Sequence, residues 1–346
     1  MPLKGRYGFG IIGCGVISET HIEAMRRIPE AELVAVCDAV EQRARHKAEK
    51  YGAAAYTDHR EMLKRDDVHV VNVLTPSGLH HLAGIEAARA GKHVICTKPI
   101  DVTLEAIDAL IAACQENGVK LAATHQCRSF PAYVRLKQAA EDGRLGKLLY
   151  GNVFVPWFRT QEYYDDGWHG TWKLDGGGAL MNQSIHWIDL LLWLLGDVRS
   201  VFGKVDTVAH RMETEDLGSA LVTFKSGSYG LIQGSTCTYQ GLPTRLELHG
   251  TKGNVIVVAD EIRLWQVEGE PREDRPPSHR ATGAADPRSG LSEAVGAHVE
   301  QIRDVLEAIE EGREPKLNGR EARRAVEVIL AIYKSSQTGE EVTLPL

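Results

Sequence analysis

Three side chains in the segment DGGGALMNQSIHWID could together perform and orient a proton transfer. Asn182, His186 and Asp189 are spaced at i, i+4 and i+7, which places them on one stripe of a helix predicted from about residue 179 to 195. Histidine titrates near neutral pH and often serves as a general base, and Asp189 is placed one turn on to fix its tautomer. The pattern predicts proton transfer at His186, with a buried core histidine as the alternative.

A second chemical group is Lys98, which follows the apolar run HVICT and precedes Pro99. A proline biases the residue before it toward extended backbone, so the Lys98 side chain should leave the strand tip in one direction. Such a cation could donate to a substrate hydroxyl and favour a developing alkoxide. A solvated lysine at the sheet edge is the alternative.

The segment GFGIIGCGVISETH places a glycine turn between an apolar strand and a helix. Gly13 and Gly15 allow a tight turn and the close approach of a pyrophosphate, and Val16 and Ile17 begin the helix that would face it. Ser18 replaces the third glycine of the usual G-x-G-x-x-G pattern. A chance glycine turn is therefore the alternative to a dinucleotide site.

The second predicted strand ends at Asp38. A dinucleotide fold carries an acidic residue for the ribose hydroxyls about 20 residues beyond its glycines. Ala39 follows in place of a lysine or arginine that would neutralise a 2′-phosphate, so the sequence favours NAD over NADP. The alternative role of Asp38 is that of a helix N-cap.

Polar or rigid residues follow three of the predicted strands, in TPSGLH, TKPI and THQCR. Ligands of a doubly wound sheet collect beyond the carboxyl ends of its strands. We therefore expect Thr75, Pro76 and His80 beside the cofactor, together with Lys98, and Gln126 beside the substrate. A purely structural role is the alternative for His80.

An irregular segment before the candidate helix, WFRTQEYYDDGWHGTWKLDGGG, is rich in aromatic residues with polar tips. Such rings suit the mixed polar and apolar surface of a sugar. The predicted substrate contacts are Arg159, Tyr163, Trp168, His169, Trp172, Asn182 and Gln126. Core packing is the alternative for the aromatic residues, while Arg159 could meet a ligand carboxylate or form a structural ion pair.

Two kinds of secondary structure must position these groups. Residues 1–124 alternate short apolar strands with amphipathic helices, which predicts an α/β domain with a doubly wound parallel sheet. Residues 125–346 hold long β-rich segments and two closing helices, which predicts an α+β domain with an open, mainly antiparallel sheet. The terminal helix is a candidate to pack back on the first domain, and the polar stretch 271–290 is predicted to be a long loop.

Composition excludes several classes of partner. The net charge of −7 argues against nucleic acid and anionic membrane surfaces. No apolar run is long enough to span a membrane, and the N-terminal strand leaves no room for a signal peptide. The six scattered cysteines include no C-x-x-C, so we expect reduced thiols, no metal site and a cytoplasmic protein.

The glycine loop, TPSGLH, TKP and GGGALMNQSIHWID together resemble the Gfo/Idh/MocA oxidoreductases, and the resemblance covers nearly the whole chain. It implies an N-terminal Rossmann domain, a C-terminal domain whose open sheet forms dimers or tetramers, and NAD(P)-linked chemistry at a sugar or polyol carbon. It also implies that His186 is the acid/base residue. Thr97 departs from the usual glutamate, and Asn182 stands where many members carry an aspartate.

The resulting prediction is a NAD-dependent enzyme that oxidises a secondary hydroxyl of a sugar, sugar derivative or polyol to a ketone. His186 would be the general base, Lys98 the alkoxide stabiliser and Asn182 an orienting residue, since an amide cannot take a proton. We expect a small-molecule substrate and a homodimer or homotetramer. Two other functions stay open: glycoside cleavage by transient oxidation with NAD retained, and non-catalytic sensing of a sugar or NAD.

Overall fold

The computed structural model describes residues 5–275 and 291–346. Residues 276–290 of the predicted loop lie outside the described residues. The described chain divides into two compact units, one of residues 5–126 and 291–323 and the other of residues 127–275 and 324–346. No helix within these ranges is both long enough and apolar enough to cross a membrane.

The first unit is built on a parallel sheet. Its strands are β1 (Tyr7–Ile12), β2 (Ala31–Cys37), β3 (Ala54–Tyr56), β4 (Val70–Val73), β5 (His93–Cys96) and β6 (Leu121–Ala123). The alternating helices are α1 (Val16–Arg26), α2 (Glu41–Tyr51), α3 (His59–Leu63), α4 (His80–Arg89) and α5 (Leu104–Glu116). The strand order β3-β2-β1-β4-β5-β6 is that of a Rossmann fold, which confirms the predicted parallel sheet.

The core of this unit follows from its apolar sequences. All four residues of β4 are buried, as expected of a parallel strand covered on both faces. Ile22 and Met25 of α1 pack in one cluster with Phe9 of β1, and all three are at most 1% exposed. Burying each such side chain contributes roughly 1.5–3 kcal/mol, so packing fixes the helix that begins at the glycine loop.

The rest of the chain adds α6 (Pro131–Glu141), β7 (Leu148–Pro156), α7 (Gln161–Tyr164), a π-helical turn (Ala179–Ser184), α8 (Ile185–Leu195), β8 (Val198–Asp206), β9 (Leu217–Phe224), β10 (Tyr229–Ser235), β11 (Arg245–Gly250), β12 (Gly253–Val258), β13 (Glu261–Val267), β14 (Glu273–Asp274), α9 (Leu291–Glu311), α10 (Gly319–Thr338) and β15 (Val342–Thr343). Helix α9 packs against α1 within the first unit. The nine strands form one sheet in the order β14-β13-β12-β11-β7-β10-β9-β8-β15. Among these strands β7 and β10 pair in parallel and the other pairs are antiparallel, which confirms a mainly antiparallel sheet.

The central strands of this sheet have one covered and one open face. Val222 of β9 and Ile232 of β10 point inward and are buried, while helix α8 contacts β7. Phe202, Leu221 and Leu231 occupy neighbouring positions on β8, β9 and β10 and are 52%, 45% and 45% exposed. An alternating pattern of this kind is what a half-buried antiparallel sheet requires.

Two buried histidines make the first unit sensitive to acid. The rings of His21 on α1 and His298 on α9 lie 4.6 Å apart, and Asn72 on β4 donates to His21 Nδ1. Burial holds the pKa of His21 well below its usual value and lowers the pKa of His298 to about 4. Below pH 6.5 the unfolded chain therefore binds more protons than the folded chain, so stability falls as the pH drops from 6.5 toward 4.

We expect this loss to amount to roughly 3 kcal/mol for His298 alone over that interval. Denaturant unfolding of the wild type and of His298→Leu at pH 7.5, 6 and 4.5 measures it. The variant should lose less stability between the first and last pH than the wild type does. Equal losses in the two proteins would show that His298 does not carry the effect.

Candidate functional site

The glycine loop has the geometry of a nucleotide-binding turn. Gly13 has φ = +101°, and a Cβ there would stand 2.5 Å from Leu74 O, so only glycine fits between the ends of β1 and β4. Gly15 is the N-cap of α1, and a Cβ built on it meets nothing within 4 Å. The space above Gly15 and the first N–H groups of α1 thus form an open cradle, and its binding of a pyrophosphate stays a prediction.

Asp38 adjoins this loop at the end of β2. Its Oδ2 accepts from the Cys14 N–H and its Oδ1 from the Val40 N–H, each at 2.8 Å. The N-cap of α2 is Val40, so Asp38 lies two residues before the cap rather than at it. The half-buried carboxylate beside the open cradle fits the ribose of a dinucleotide.

The exposure of the first two residues of α1 also fits a cofactor site at this end of the helix. Val16 is 85% exposed and Ile17 38% exposed, although both are apolar and open the helix. Apolar side chains beside an uncovered helix N-terminus suit contact with a bound cofactor. Their contact with NAD stays a prediction, as does that of Asp38.

His80 joins two of the strand-end loops. Its Nδ1 lies 2.9 Å from Pro99 O and its Nε2 2.8 Å from Thr75 O, and the ring is fully buried. Burial lowers the pKa of His80, an effect that the nearby Asp101 and the two carbonyls oppose. His80 therefore fixes the backbone next to Lys98, while its predicted contact with the cofactor remains a prediction.

Lys98 and Thr97 are half-buried at the tip of β5, and the Lys98–Pro99 peptide bond is cis. Thr97 occupies the position at which the resemblance implies a glutamate, and its Oγ1 accepts from Thr124 Oγ1 at 3.5 Å. A buried carboxylate, that of Asp101, lies three residues after Lys98. Asp101 is 1% exposed and accepts from the His81 backbone N–H and from His81 Nδ1.

The candidate base lies on α8 in the second unit. His186 is 6% exposed, and Asn182 belongs to the π-helical turn that precedes α8. Such turns occur often at functional sites. The Asn182 amide donates to Asp175 Oδ1 and accepts from Gln183 Nε2, which fixes its orientation. Asp189 accepts two hydrogen bonds of 2.7 Å from Arg128, so its proposed task at His186 would be shared with an ion pair.

The π-helical turn is fixed by a carboxylate that the sequence analysis missed. Glu215 accepts from the backbone N–H groups of Gly178 and Leu180 and from the Tyr333 hydroxyl. Burial raises the pKa of Glu215 to about 7. Gly177 has φ = +158°, and a Cβ there would stand 2.1 Å from the Tyr333 hydroxyl, which explains the glycine at this position.

The aromatic segment forms a connected cluster around Tyr163. The rings of Tyr163 and His169 lie 4.1 Å apart, and those of His169 and Trp168 lie 3.7 Å apart. Asp166 accepts from His169 Nδ1 at 2.6 Å. Trp172 is 45% exposed and packs edge-on against another ring, that of Tyr333.

Arg159 and Gln183 link this cluster to Asn182. Arg159 donates to Gln183 Oε1 at 2.8 Å, and Gln183 donates to the Tyr163 hydroxyl at 3.0 Å. Gln183 is absent from the sequence-based prediction, although its position beside Asn182 in NQS was a signal. Gln126 is half-buried in a 3₁₀ turn that begins at the end of the first unit.

Comparisons with known proteins cover most of the chain. Residues 7–125 match the oxidoreductase family with an NAD-binding Rossmann fold, and residues 133–256 match the GFO/IDH/MocA C-terminal domain. D-apiose dehydrogenase of Paraburkholderia graminis is 30% identical, over 98% of this chain and 90% of its own. Myo-inositol 2-dehydrogenase of Thermotoga maritima is 27% identical over 97% and 98%.

Solved structures agree with these matches. The WlbA dehydrogenase from Bordetella pertussis, in complex with NADH and UDP-GlcNAcA, is similar with a TM-score of 0.87 and 34% identity, over 99% of each chain.

Proposed function

Because the chain belongs to the Gfo/Idh/MocA family of NAD-binding oxidoreductases, we propose that it oxidises a secondary hydroxyl of a sugar, sugar derivative or polyol to a ketone. The observation that carries this proposal is the buried His186 on α8, which lies one turn after Asn182, an amide of fixed orientation. An alcohol must lose its hydroxyl proton when its carbon is oxidised, and a histidine can accept that proton.

Each proposed residue has a defined task. His186 takes the proton of the reacting hydroxyl, Lys98 donates to the developing alkoxide, and Asn182 orients the sugar. When bound, NAD supplies the acceptor for the hydride that leaves the carbon. The Gly13–Ile17 loop would hold its pyrophosphate, Asp38 its adenosine ribose, and the Thr75–Pro76 and Lys98 loops its nicotinamide side.

The oxidation test follows the absorbance of NADH after the purified protein is mixed with NAD and a panel of sugars. The panel contains free hexoses, inositols, anhydrosugars, glycosides and nucleotide-linked sugar acids. The last class is included because the Bordetella pertussis neighbour is bound to UDP-GlcNAcA. We expect a rise with one sugar class. A flat trace from a protein that still binds NAD would overturn the proposal in favour of retained-cofactor glycoside cleavage or sensing.

We further propose a homodimer or homotetramer assembled through the open sheet face. Phe202, Leu221 and Leu231 form a continuous exposed apolar row on three neighbouring strands, and large apolar patches mark interaction sites. Light scattering should return the mass of two or four chains for the wild type and of one chain for Leu221→Asp. A monomeric wild type would contradict the assembly.

We also propose a reducing, cytoplasmic environment. Burial raises the pKa of Cys37 to about 11 and those of Cys14 and Cys114 to about 12. Such groups stay protonated thiols at neutral pH, which suits a compartment without disulfide formation. Secretion of the protein in a cell-fractionation experiment would contradict this location.

A further inference from the structure

Arg159 is held in place by its backbone as well as by its side chain. Its N–H donates to Thr236 O at 2.8 Å, and its carbonyl accepts from His210 Nε2 at 2.9 Å. A bridge between Phe158 and Cys237 pairs the preceding residue with the chain that follows β10. The residue therefore has a fixed position beside the ends of β7 and β10.

The guanidinium is built into a defined cage. It lies 5.1 Å from the centroid of the Trp157 ring and 5.4 Å from that of Tyr163, at cation–π distance. It donates to Gln183 Oε1 at 2.8 Å and to Phe158 O at 3.2 Å. Aromatic contacts of this kind stabilise a cation without neutralising its charge.

No carboxylate neutralises Arg159 among residues 5–275 and 291–346: none lies within ion-pair distance of it. An arginine side chain has five N–H donors. Two of them are used by Gln183 and Phe158, so three have no acceptor in the described parts of the chain. A structural ion pair was the alternative role for Arg159, and the described parts of the chain do not contain one.

Hydrogen bonds connect the Arg159 side chain to the turn that precedes the candidate catalytic helix α8. Its partner Gln183 donates to Asn182 Oδ1 at 3.0 Å, and Asn182 lies one turn before His186. A ligand group at the guanidinium and a hydroxyl oriented by Asn182 would therefore be a few atoms apart on one sugar. Planar forked recognition of a carboxylate is the interaction for which arginine is best suited.

We propose that Arg159 binds a carboxylate of the substrate, so that the sugar oxidised by this enzyme is a sugar acid. The inference rests on the proposed function and adds a substrate class and a specificity-determining residue to it. A neutral sugar would leave the charge of Arg159 unpaired, and sites with unpaired polar groups reject such ligands strongly.

The first test needs no variant. It compares three substrates of the wild type that share their ring hydroxyls: a hexuronic acid, its methyl ester and the parent hexose, each free and as the UDP-linked sugar. We expect kcat/KM for the acid to exceed that for the ester and the hexose by roughly 100-fold or more. Equal values would overturn the assignment while leaving the proposed oxidation intact.

The second test removes the charge. Arg159→Met keeps an unbranched apolar side chain beside the two rings. The matched control is Arg211→Met, at an exposed site whose backbone is hydrogen-bonded to the side chain of Gln161. We expect Arg159→Met to lower kcat/KM for the acid by roughly 100-fold and thereby to abolish the preference of the enzyme for the acid over the hexose. An equal loss for both substrates would indicate a merely structural role and contradict the inference.

Failure of the proposed oxidation can be distinguished from failure of the proposed carboxylate site. If no sugar yields NADH, the proposed oxidation is wrong, and calorimetry then measures binding of the uronic acid and its methyl ester to the NAD-loaded protein. Binding of the acid alone would support the carboxylate site in the absence of turnover. Equal binding of both ligands, or binding of neither, would overturn it.

Discussion

Replacing His186 by glutamine should lower kcat by roughly 10²- to 10⁴-fold, because an amide can hydrogen-bond a hydroxyl but cannot accept its proton. NAD affinity should be unchanged, since the residues proposed to hold the cofactor belong to the first unit. Steady-state NADH formation gives kcat, and fluorescence titration with NADH gives the affinity. The variant should also lose the acidic limb that a titrating base gives to the pH profile of kcat/KM.

The matched control is His46→Gln, which makes the same replacement at an exposed position of α2. It should keep the kcat of the wild type. Retention of more than about a tenth of kcat in His186→Gln would place the base elsewhere, because loss of a general base costs about a hundredfold or more.

Alanine at Gly13 and at Gly15 should separate folding from cofactor binding. A Cβ at Gly13 would stand 2.5 Å from the backbone oxygen of Leu74, and φ is +101°, so Gly13→Ala should lower the free energy of unfolding by roughly 2–3 kcal/mol. A Cβ at Gly15 meets nothing within 4 Å. Gly15→Ala should keep wild-type stability but raise the Kd for NAD by about tenfold or more, because its methyl group would occupy the place of the pyrophosphate.

Gly52→Ala is a control that introduces backbone strain at a glycine outside the predicted cofactor loop. Gly52 ends α2 with φ = +72° in open space, so its replacement should cost about 1–2 kcal/mol of stability without affecting NAD binding. Denaturant unfolding and NADH titration of the three variants measure both quantities. Wild-type NAD affinity in Gly15→Ala would mean that the pyrophosphate does not lie at this loop.

The features that were predictable from sequence are those that depend on local spacing. Gly13, Asp38 and the strand-end segments could be placed because each parallel strand is a short apolar run that ends at one edge of a sheet. The Asn182–His186 spacing similarly placed both on one helix, which the structure shows as a π-helical turn leading into α8. The three-residue strand β3 was missed because AAY has too little periodicity to indicate a strand.

The partners of these residues were not predictable, because they come from distant parts of the chain. Glu215 lies more than thirty residues beyond Gly178 and Leu180, whose N–H groups donate to it, and Tyr333 is farther still. Nothing in the local sequence around Asn182 specifies that Asp175 will fix its amide. Arg159 left two interpretations open for the same reason: only three-dimensional neighbours decide whether a cation is neutralised.

The parallel pairing of β7 with β10 has a consequence for how this protein could change in evolution. The segment between the end of β7 and the start of β8 contains Arg159, the aromatic cluster, Asn182 and His186, and it lies outside the strands of the sheet. The sheet register is set by the strands themselves, so it does not depend on which side chains that intervening segment carries toward a ligand. We therefore expect new substrate preferences to arise by substitutions between β7 and β8, while the strands on either side conserve the scaffold.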